Sequence, residues 1–369
     1  MASPELIDID TLLQPIAGEF PTGEDIREDL SPTSLYQTIK NERNQARAAE
    51  RQSIHDGESQ QAMEHWQKVI QIAPEIIRDL SKDLEVASWY TEAMLRRYGF
   101  AGLRDAFKLI QGLVDNFWEN LHPMPDEYGM ETRVSCLSGL NGEGAEGVLI
   151  APIRKVRLTE GSDPGPFSLW QYQQSLDILK AQDEQARQAK IANLGFSADD
   201  IEKSVNESSE EFFVNIRDDL SESIATYKAT GTKLDELCGI EDAPPTRTIL
   251  EVLDVCLGTV KHIGKLKFPL ESEEEITEGD ETPDSASGSS PASAKARGPI
   301  ATRDEAFKQL IEIAEFFRKT EPHSPVSYVL QKAVKWGNMP LGELIGELIP
   351  DHSSRERYSE LTGVESLEE

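Results

Sequence analysis

Two short patterns in this sequence have residue types that could bind a nucleotide or transfer a proton. The first is the run 142–147, which fits the glycine spacing GxGxxG of a dinucleotide-binding loop. Such a loop follows a hydrophobic strand and opens a helix whose backbone amides hold a pyrophosphate. Glu143 and Glu146 would repel that anion, and the residues that follow are typical of a strand. We therefore predict a surface loop that binds no nucleotide.

The second pattern is the adjacent pair Lys82 and Asp83, which could be read as catalytic. We favour a structural interpretation, because Asp83 lies where a carboxylate stabilises the N-terminal end of a helix. Lys82 is then solvated or forms an ion pair, and most exposed pairs contribute little. Ser81 is placed to cap the same helix.

Histidines and cysteines form no metal-ligating or nucleophilic pattern. His323 has no second His or Cys at ligand spacing, which favours a turn histidine that hydrogen-bonds the backbone. His65 and His122 lie at predicted helix ends. The three cysteines are scattered without a CxxC pair, which indicates a reducing compartment and neither a disulfide nor a zinc site; they are Cys136, Cys238 and Cys256. We expect no enzyme, no cofactor and no metal.

Composition limits the classes of partner. The chain has 369 residues and a formal net charge of −30, which argues against nucleic acid and against an anionic membrane surface. No apolar run approaches the roughly 20 residues that span a membrane. The N-terminus lacks the basic and apolar regions of a signal peptide. We expect a soluble, cytosolic protein.

The first 160 residues read as a helical bundle. Helices are predicted from Leu35 to Arg51, from Met63 to Ile77 with a kink or break at Pro74, and onward from Leu84 with a stop at Gly99. A further helix runs from Leu103 to Phe117. Three tryptophans are expected in the bundle core rather than in a ligand cage: Trp66, Trp89 and Trp118. In contrast, the β-branched run 148–158 predicts one strand or a small β-hairpin.

The middle region is predicted to be a thin helical bundle. One long polar helix is expected from Phe167 to Asn193, followed by helices at 210–237 and 246–263. The packing side of the long helix is predicted to carry Leu169, Tyr172, Leu176 and Leu179.

The helical patterns predict a mainly all-α fold class. Shifts in composition divide the chain into four regions, which makes it multi-domain. They are an N-terminal domain at 1–160, a middle region at 167–268, a disordered linker at 269–300 and a C-terminal domain at 301–369. Eight carboxylates lie between Glu271 and Asp284. They either only solvate and extend the chain, or steer it toward a basic partner surface.

The tail is predicted to pack and assemble. Thr302 and Glu305 have capping-box spacing before one helix, and Ser324 with Pro325 opens another that ends at Gly337. About seventy residues is near the lower limit for an independent core, which favours oligomerisation. The residues expected to drive it are Phe307, Leu310, Phe317, Val329, Leu330 and Trp336.

Several blocks resemble a known family. Residues 81–84, 98–103 and 117–123, with 15–16 and 21–27 before them, resemble the N-terminal domain of the type VI secretion TssA proteins, also called ImpA-related. Residues 316–326 and 336–341 are similar to the C-terminal region of the short members. The motif positions of the N-terminal domain are Ser81, Lys82, Asp83, Leu84, Gly99, Gly102, Leu103, Trp118 and Pro123.

The resemblance implies a non-enzymatic scaffold in the cytoplasm. Members of this family contact the baseplate, the inner tube and the sheath of a contractile injection machine, and their C-terminal regions form ring-like oligomers. The short type is likened to a baseplate component, so residence at the distal sheath end is less expected here. The alternative is a monomeric helical adaptor that binds one partner through its N-terminal bundle. The mass of the oligomer separates the two.

Overall fold

The structure is a computed structural model that describes residues 2–52, 60–127, 129–180, 183–239, 241–268, 303–320 and 325–337, with residues 339, 344, 348 and 351. Within these ranges the chain is helical, and its only β-type pairings are four isolated bridges. The mainly all-α class is therefore confirmed. The chain divides into two compact units, residues 1–274 and 275–369, which are described separately.

The first unit contains eleven α-helices among its described residues. In chain order, α1 to α6 are Ile9–Leu12, Leu35–Gln52, Gln60–Glu75, Leu84–Phe117, Met130–Asn141 and Ile150–Lys155. The next five, α7 to α11, are Leu169–Leu179, Glu184–Leu194, Ala198–Glu207, Glu210–Cys238 and Arg247–Ile263. A π-helical turn, Ile76–Leu80, follows α3, and a 3₁₀ turn, Trp118–Asn120, follows α4. The predicted helices at 35–51, 210–237 and 246–263 are confirmed within one or two residues.

Helix α4 is the centre of this unit and packs against α3 and α10. Its apolar face is buried, and Trp66, Trp89 and Trp118 lie in the core as predicted. The ring of Phe107 on α4 stacks on Tyr227 of α10 with 4.5 Å between centroids. One hydrophobic cluster thus includes residues from both sides of the predicted boundary near 159–167. That boundary stays a prediction.

The predicted strand or hairpin at 148–158 is wrong. The segment contains α6, in which Pro152 lies in the first turn, where a missing N–H is tolerated. Leu149, Ile150 and Ile153 are all buried. Their spacing matches one helix face, and short apolar runs do not distinguish a strand from a helix by periodicity alone.

The predicted long helix from Phe167 to Asn193 is also wrong. It is two helices, α7 and α8, and the Asp183 side chain accepts a hydrogen bond from the Ala186 amide to cap α8. Leu169 is buried, but Leu176 and Leu179 are exposed, and Ile178 is the buried residue instead. The break is not evident from the sequence, because residues 180–183 contain neither glycine nor proline to mark a turn.

The predicted kink or break at Pro74 and the predicted stop at Gly99 both fall where the helices are irregular. Helix α3 continues through Pro74 to Glu75, and the π-helical turn takes up the distortion. Helix α4 continues beyond Gly99, but that residue has non-helical φ 63° and ψ −140°. Helix α4 is therefore two helical segments joined at a kink, which agrees with the predicted end of one helix at Gly99 and the start of the next near Leu103.

The second unit contains helices α12, Arg303–Thr320, and α13, Val326–Gly337, which pack against each other. The predicted helix ending at Gly337 is confirmed. Thr302, His323, Ser324 and the linker 269–300 lie outside the described residues.

Candidate functional site: the motif junction and the tail faces

Three distant segments meet at the start of α4. The Lys82 amide donates to the Thr22 carbonyl at 2.7 Å, and the His122 amide donates to the Lys82 carbonyl at 3.0 Å. The Leu84 amide then donates to the His122 carbonyl at 2.7 Å. We call this meeting point of residues 22–23, 81–84 and 121–123 the motif junction. It joins two of the three predicted motif blocks, 81–84 and 117–123, to the preceding segment 21–27.

Asp83 caps α4 and holds an ion pair. Its fully buried side chain accepts from the Val86 amide at 2.9 Å and from Arg27 Nη1 at 2.7 Å. Arg27 also donates to Glu85 at 2.7 Å and stacks on Tyr36. The prediction that Ser81 caps the helix is wrong, because Ser81 lies three residues before the first helical turn and Asp83 takes that position.

Lys82 is not solvated and forms no ion pair with a residue that the structure describes, so that expectation is also wrong. Its side chain is fully buried, and Nζ donates to the carbonyls of Leu12 at 2.7 Å and Ile77 at 2.8 Å. Burial lowers the pKa of Lys82 to about 8, and Asp79 opposes that shift. The lysine ties α1 and the π-helical turn to α4, and its side chain is not exposed at the surface.

The far side of the junction is fixed by an arginine that sequence analysis did not single out. Arg133 on α5 is buried, donates to the carbonyls of Trp118 at 2.8 Å and Pro123 at 3.1 Å, and lies 4.9 Å from the Trp118 ring. The His122–Pro123 peptide is cis. Neither the charge nor the spacing of Arg133 distinguishes it from a surface arginine in sequence.

The remaining motif block lies further along α4. At Gly102 a Cβ atom would stand 2.3 Å from the Met94 carbonyl oxygen, so the backbone across the kink requires glycine. Leu103 is buried next to it. This block sets the path of α4 and does not form part of the junction.

The junction lies within a region that matches a known protein family. Residues 13–142, which include the whole junction, match the family described as ImpA, N-terminal, type VI secretion system. The chain is also similar over its whole length to the type VI secretion system component TssA1 of Pseudomonas aeruginosa. The two are 25% identical over 375 residues, which cover 98% of this chain and 100% of that protein.

The chain therefore contains an ImpA N-terminal domain and is similar to the TssA proteins of type VI secretion systems. Its fold is also similar to a solved structure from Burkholderia cenocepacia, the N-terminal domain that includes the conserved ImpA_N region of the TssA component. The TM-score is 0.57 and the identity is 23%, with 70% of this chain and 94% of that chain covered. This likeness concerns the fold alone.

A groove of about 440 Å³ lies beside the junction, between residues 16–36 and Asp79–Leu80. Phe20 and Leu80 are exposed at its edge. None of the described residues that line it is basic, and six are acidic: Glu19, Glu24, Asp25, Glu28, Asp29 and Asp79. Such a surface suits an apolar side chain flanked by positive charge.

The glycine-rich run, His65 and the cysteines singled out in the sequence lie outside the motif junction. The run 142–147 is a loop between α5 and α6, as predicted, although a helix follows it rather than a strand. His65 lies inside α3, against Glu42 at 2.5 Å. Cys136, Cys238 and Cys256 are free thiols. In the described ranges, no group of three His, Cys, Asp or Glu side chains is arranged to hold a metal.

The tail residues predicted to drive assembly divide into two groups. Val329 is 63% exposed on α13. The other five are half-buried in the α12–α13 pair, where for example the Phe307 ring packs directly on Gly337; they are Phe307, Leu310, Phe317, Leu330 and Trp336. Sequence analysis missed the exposed neighbours Phe316 and Tyr328. The role of all these residues in assembly stays a prediction.

Proposed function

We propose that this chain is a cytoplasmic scaffold of the type VI secretion machine that forms ring-like oligomers through residues 301–369. In this role it contacts baseplate, inner-tube and sheath components during assembly and catalyses no reaction. The match of residues 13–142 to the ImpA N-terminal family and the similarity to TssA1 support the link to the secretion machine. In the described part of the chain, no helix has the length and apolar character to cross a membrane.

The observation that carries the proposal is the exposed apolar surface of the second unit. Phe316 on α12 and Tyr328 and Val329 on α13 are each more than 60% exposed. Among the described residues of this unit, the buried apolar side chains are only Ala314 and Val334. Each large apolar side chain gains roughly 1.5–3 kcal/mol when it is fully buried, so contact between copies would bury apolar surface that the described helices leave exposed.

The proposal is tested by the absolute mass of the intact chain in solution, measured by light scattering beside a fragment that ends at Leu270. The fragment retains the first unit with its own core. A large intact oligomer and a monomeric or dimeric fragment are expected. A monomeric intact chain would overturn the ring and favour an adaptor that binds one partner through the first unit.

A further inference from the structure

Helix α2 carries a positively charged side on a strongly acidic chain. Lys40, Arg43, Arg47 and Arg51 follow one another at intervals of three or four residues, which places them on one side of the helix. The stripe is about 16 Å long, at 1.5 Å per residue. Arg96 of α4 lies next to this stripe, because its side chain pairs with Glu50 of α2 at 2.6 Å. We call these five residues the arginine face.

The described acidic residues around this face pair with only two of its five cations, Arg43 and Arg96. Glu42 accepts hydrogen bonds from His65 and Lys68 on α3. Glu50 accepts from the Trp66 indole at 2.7 Å and from Arg96. Both carboxylates are therefore engaged with neighbouring helices, and the buried Glu92 of α4 pairs with Arg43 at 2.6 Å. Lys40, Arg47 and Arg51 form no ion pair with any residue that the structure describes.

Arg47 is the most costly of these charges. Its side chain is half-buried, and it makes no hydrogen bond with a described residue. Burial lowers the pKa of Arg47, the buried Glu92 opposes the shift, and the nearby arginines 43, 96 and 51 add to it. A partly desolvated guanidinium among like charges is unfavourable until an anion joins it. The site is thus electrostatically incomplete in the isolated chain.

Aromatic rings hold the neighbouring cations in place. The Arg43 guanidinium lies 5.4 Å from the Trp89 ring, and that of Arg96 lies 4.5 Å from the Trp66 ring. The Lys40 ammonium lies 5.5 Å from the Tyr36 ring. Side chains fixed in this way lose less conformational entropy when they bind a carboxylate. The face is arranged for binding before a ligand arrives.

We propose that the arginine face binds a carboxylate-rich segment of a partner protein. Guanidinium groups pair with carboxylates through two parallel hydrogen bonds, and the 16 Å stripe suits several acidic side chains in one segment. A nucleic acid fits less well, because a long polyanion would meet the rest of a chain with net charge −30. A short segment is affected only by charges within about 8 Å at physiological salt.

This inference rests on the proposed role as an assembly component and names the chemistry of one partner. Its test uses the full chain with the eight carboxylates of 271–284 replaced by Ser and Gly, so that its own acidic run does not compete. The probe is a synthetic peptide with the natural sequence of residues 271–284, titrated by calorimetry. We expect binding at 50 mM NaCl that weakens about tenfold at 300 mM NaCl, because screening increases with salt.

The deciding variant is Arg47→Gln with Arg51→Gln, which we expect to weaken peptide binding at least fivefold. The matched control is Lys261→Gln with Lys265→Gln, which removes the same charge from exposed positions of the same unit and should change binding less than twofold. The exposed single variant Arg51→Gln, expected to weaken binding about twofold, covers the case in which the double variant does not fold.

Three results would overturn the inference. They are no binding at 50 mM NaCl, equal losses in the arginine and lysine variants, and equally tight binding of a 14-nucleotide single-stranded DNA at the same face. Light scattering on the same samples reports the oligomer separately. A failed peptide titration with an intact oligomer would thus reject only the arginine face.

Discussion

Arg27 and Asp83 form an ion pair across 56 residues of sequence, with Arg27 Nη1 2.7 Å from Asp83 Oδ2. Asp83 is fully buried and also caps α4, while Arg27 remains partly exposed and bridges to Glu85. The Asp83 carboxylate therefore binds both the first turn of α4 and Arg27 in the segment before that helix. The pair couples the start of the chain to the central helix of the first unit.

Loss of the Asp83 charge should destabilise the first unit. Asp83→Asn keeps the shape but weakens the cap and leaves Arg27 without its buried partner. Removing one member of a buried pair costs about 3–5 kcal/mol, and we expect about 3 kcal/mol because Arg27 keeps Glu85. Urea unfolding of the intact chain, followed by tryptophan fluorescence, measures the change.

The matched control for this variant is Glu251→Gln, which breaks the exposed pair between Arg247 and Glu251 on α11. Exposed pairs at this spacing contribute about 0.3–0.5 kcal/mol, so the control should be nearly neutral. Equal losses in the two variants would show that the Asp83 pair contributes no more than a surface pair.

Lys82 should give the first unit a distinct pH dependence. Burial lowers its pKa to about 8 from the usual 10.5, so between these values the unfolded chain binds more protons at this site than the folded chain. The free energy of unfolding then rises with pH, by about 1 kcal/mol per unit, and below pH 8 this contribution is constant.

This slope is measured as the difference between the parent chain and Lys82→Met, by urea unfolding at pH 7, 8, 9 and 10. The difference is needed because burial raises the pKa of Tyr36 and Cys256 to about 12, which makes stability fall over part of the same range. If the free energies of unfolding of parent and variant change in parallel from pH 8 to 10, Lys82 titrates normally.

Gly102→Ala should disrupt the kink of α4. The added Cβ would meet the Met94 carbonyl oxygen at 2.3 Å, and backbone does not yield as a flexible side chain does. We expect a loss of at least about 2 kcal/mol in unfolding free energy, of the order seen for overpacked cores. Gly139→Ala on α5 meets no atom within 4 Å and should be neutral or stabilising by up to about 1 kcal/mol. A neutral Gly102→Ala would contradict this account of the kink.

The sequence allows the helices, the tryptophan core and the family to be predicted, because apolar periodicity and short motifs are local signals. It does not reveal the motif junction, because the partners of Lys82 are backbone carbonyls at Leu12 and Ile77 rather than charged side chains. The run 148–158 predicts a strand where the structure has α6, since a short β-branched segment fits either a strand or a buried helix. In the tail, periodicity identified apolar faces but not which face is covered by the neighbouring helix.

The most direct test of assembly through the second unit is the mass of Val329→Asp by light scattering over a range of protein concentrations. Val329 is 63% exposed, so the change should leave the fold intact and place a charge in the contact between copies. The control is Val255→Asp on α11, where the parent valine is 47% exposed in the first unit. We predict that Val329→Asp falls to a smaller species while Val255→Asp keeps the parent mass. An unchanged oligomer in Val329→Asp, and in a double variant with Tyr328→Asp, would contradict assembly through this face.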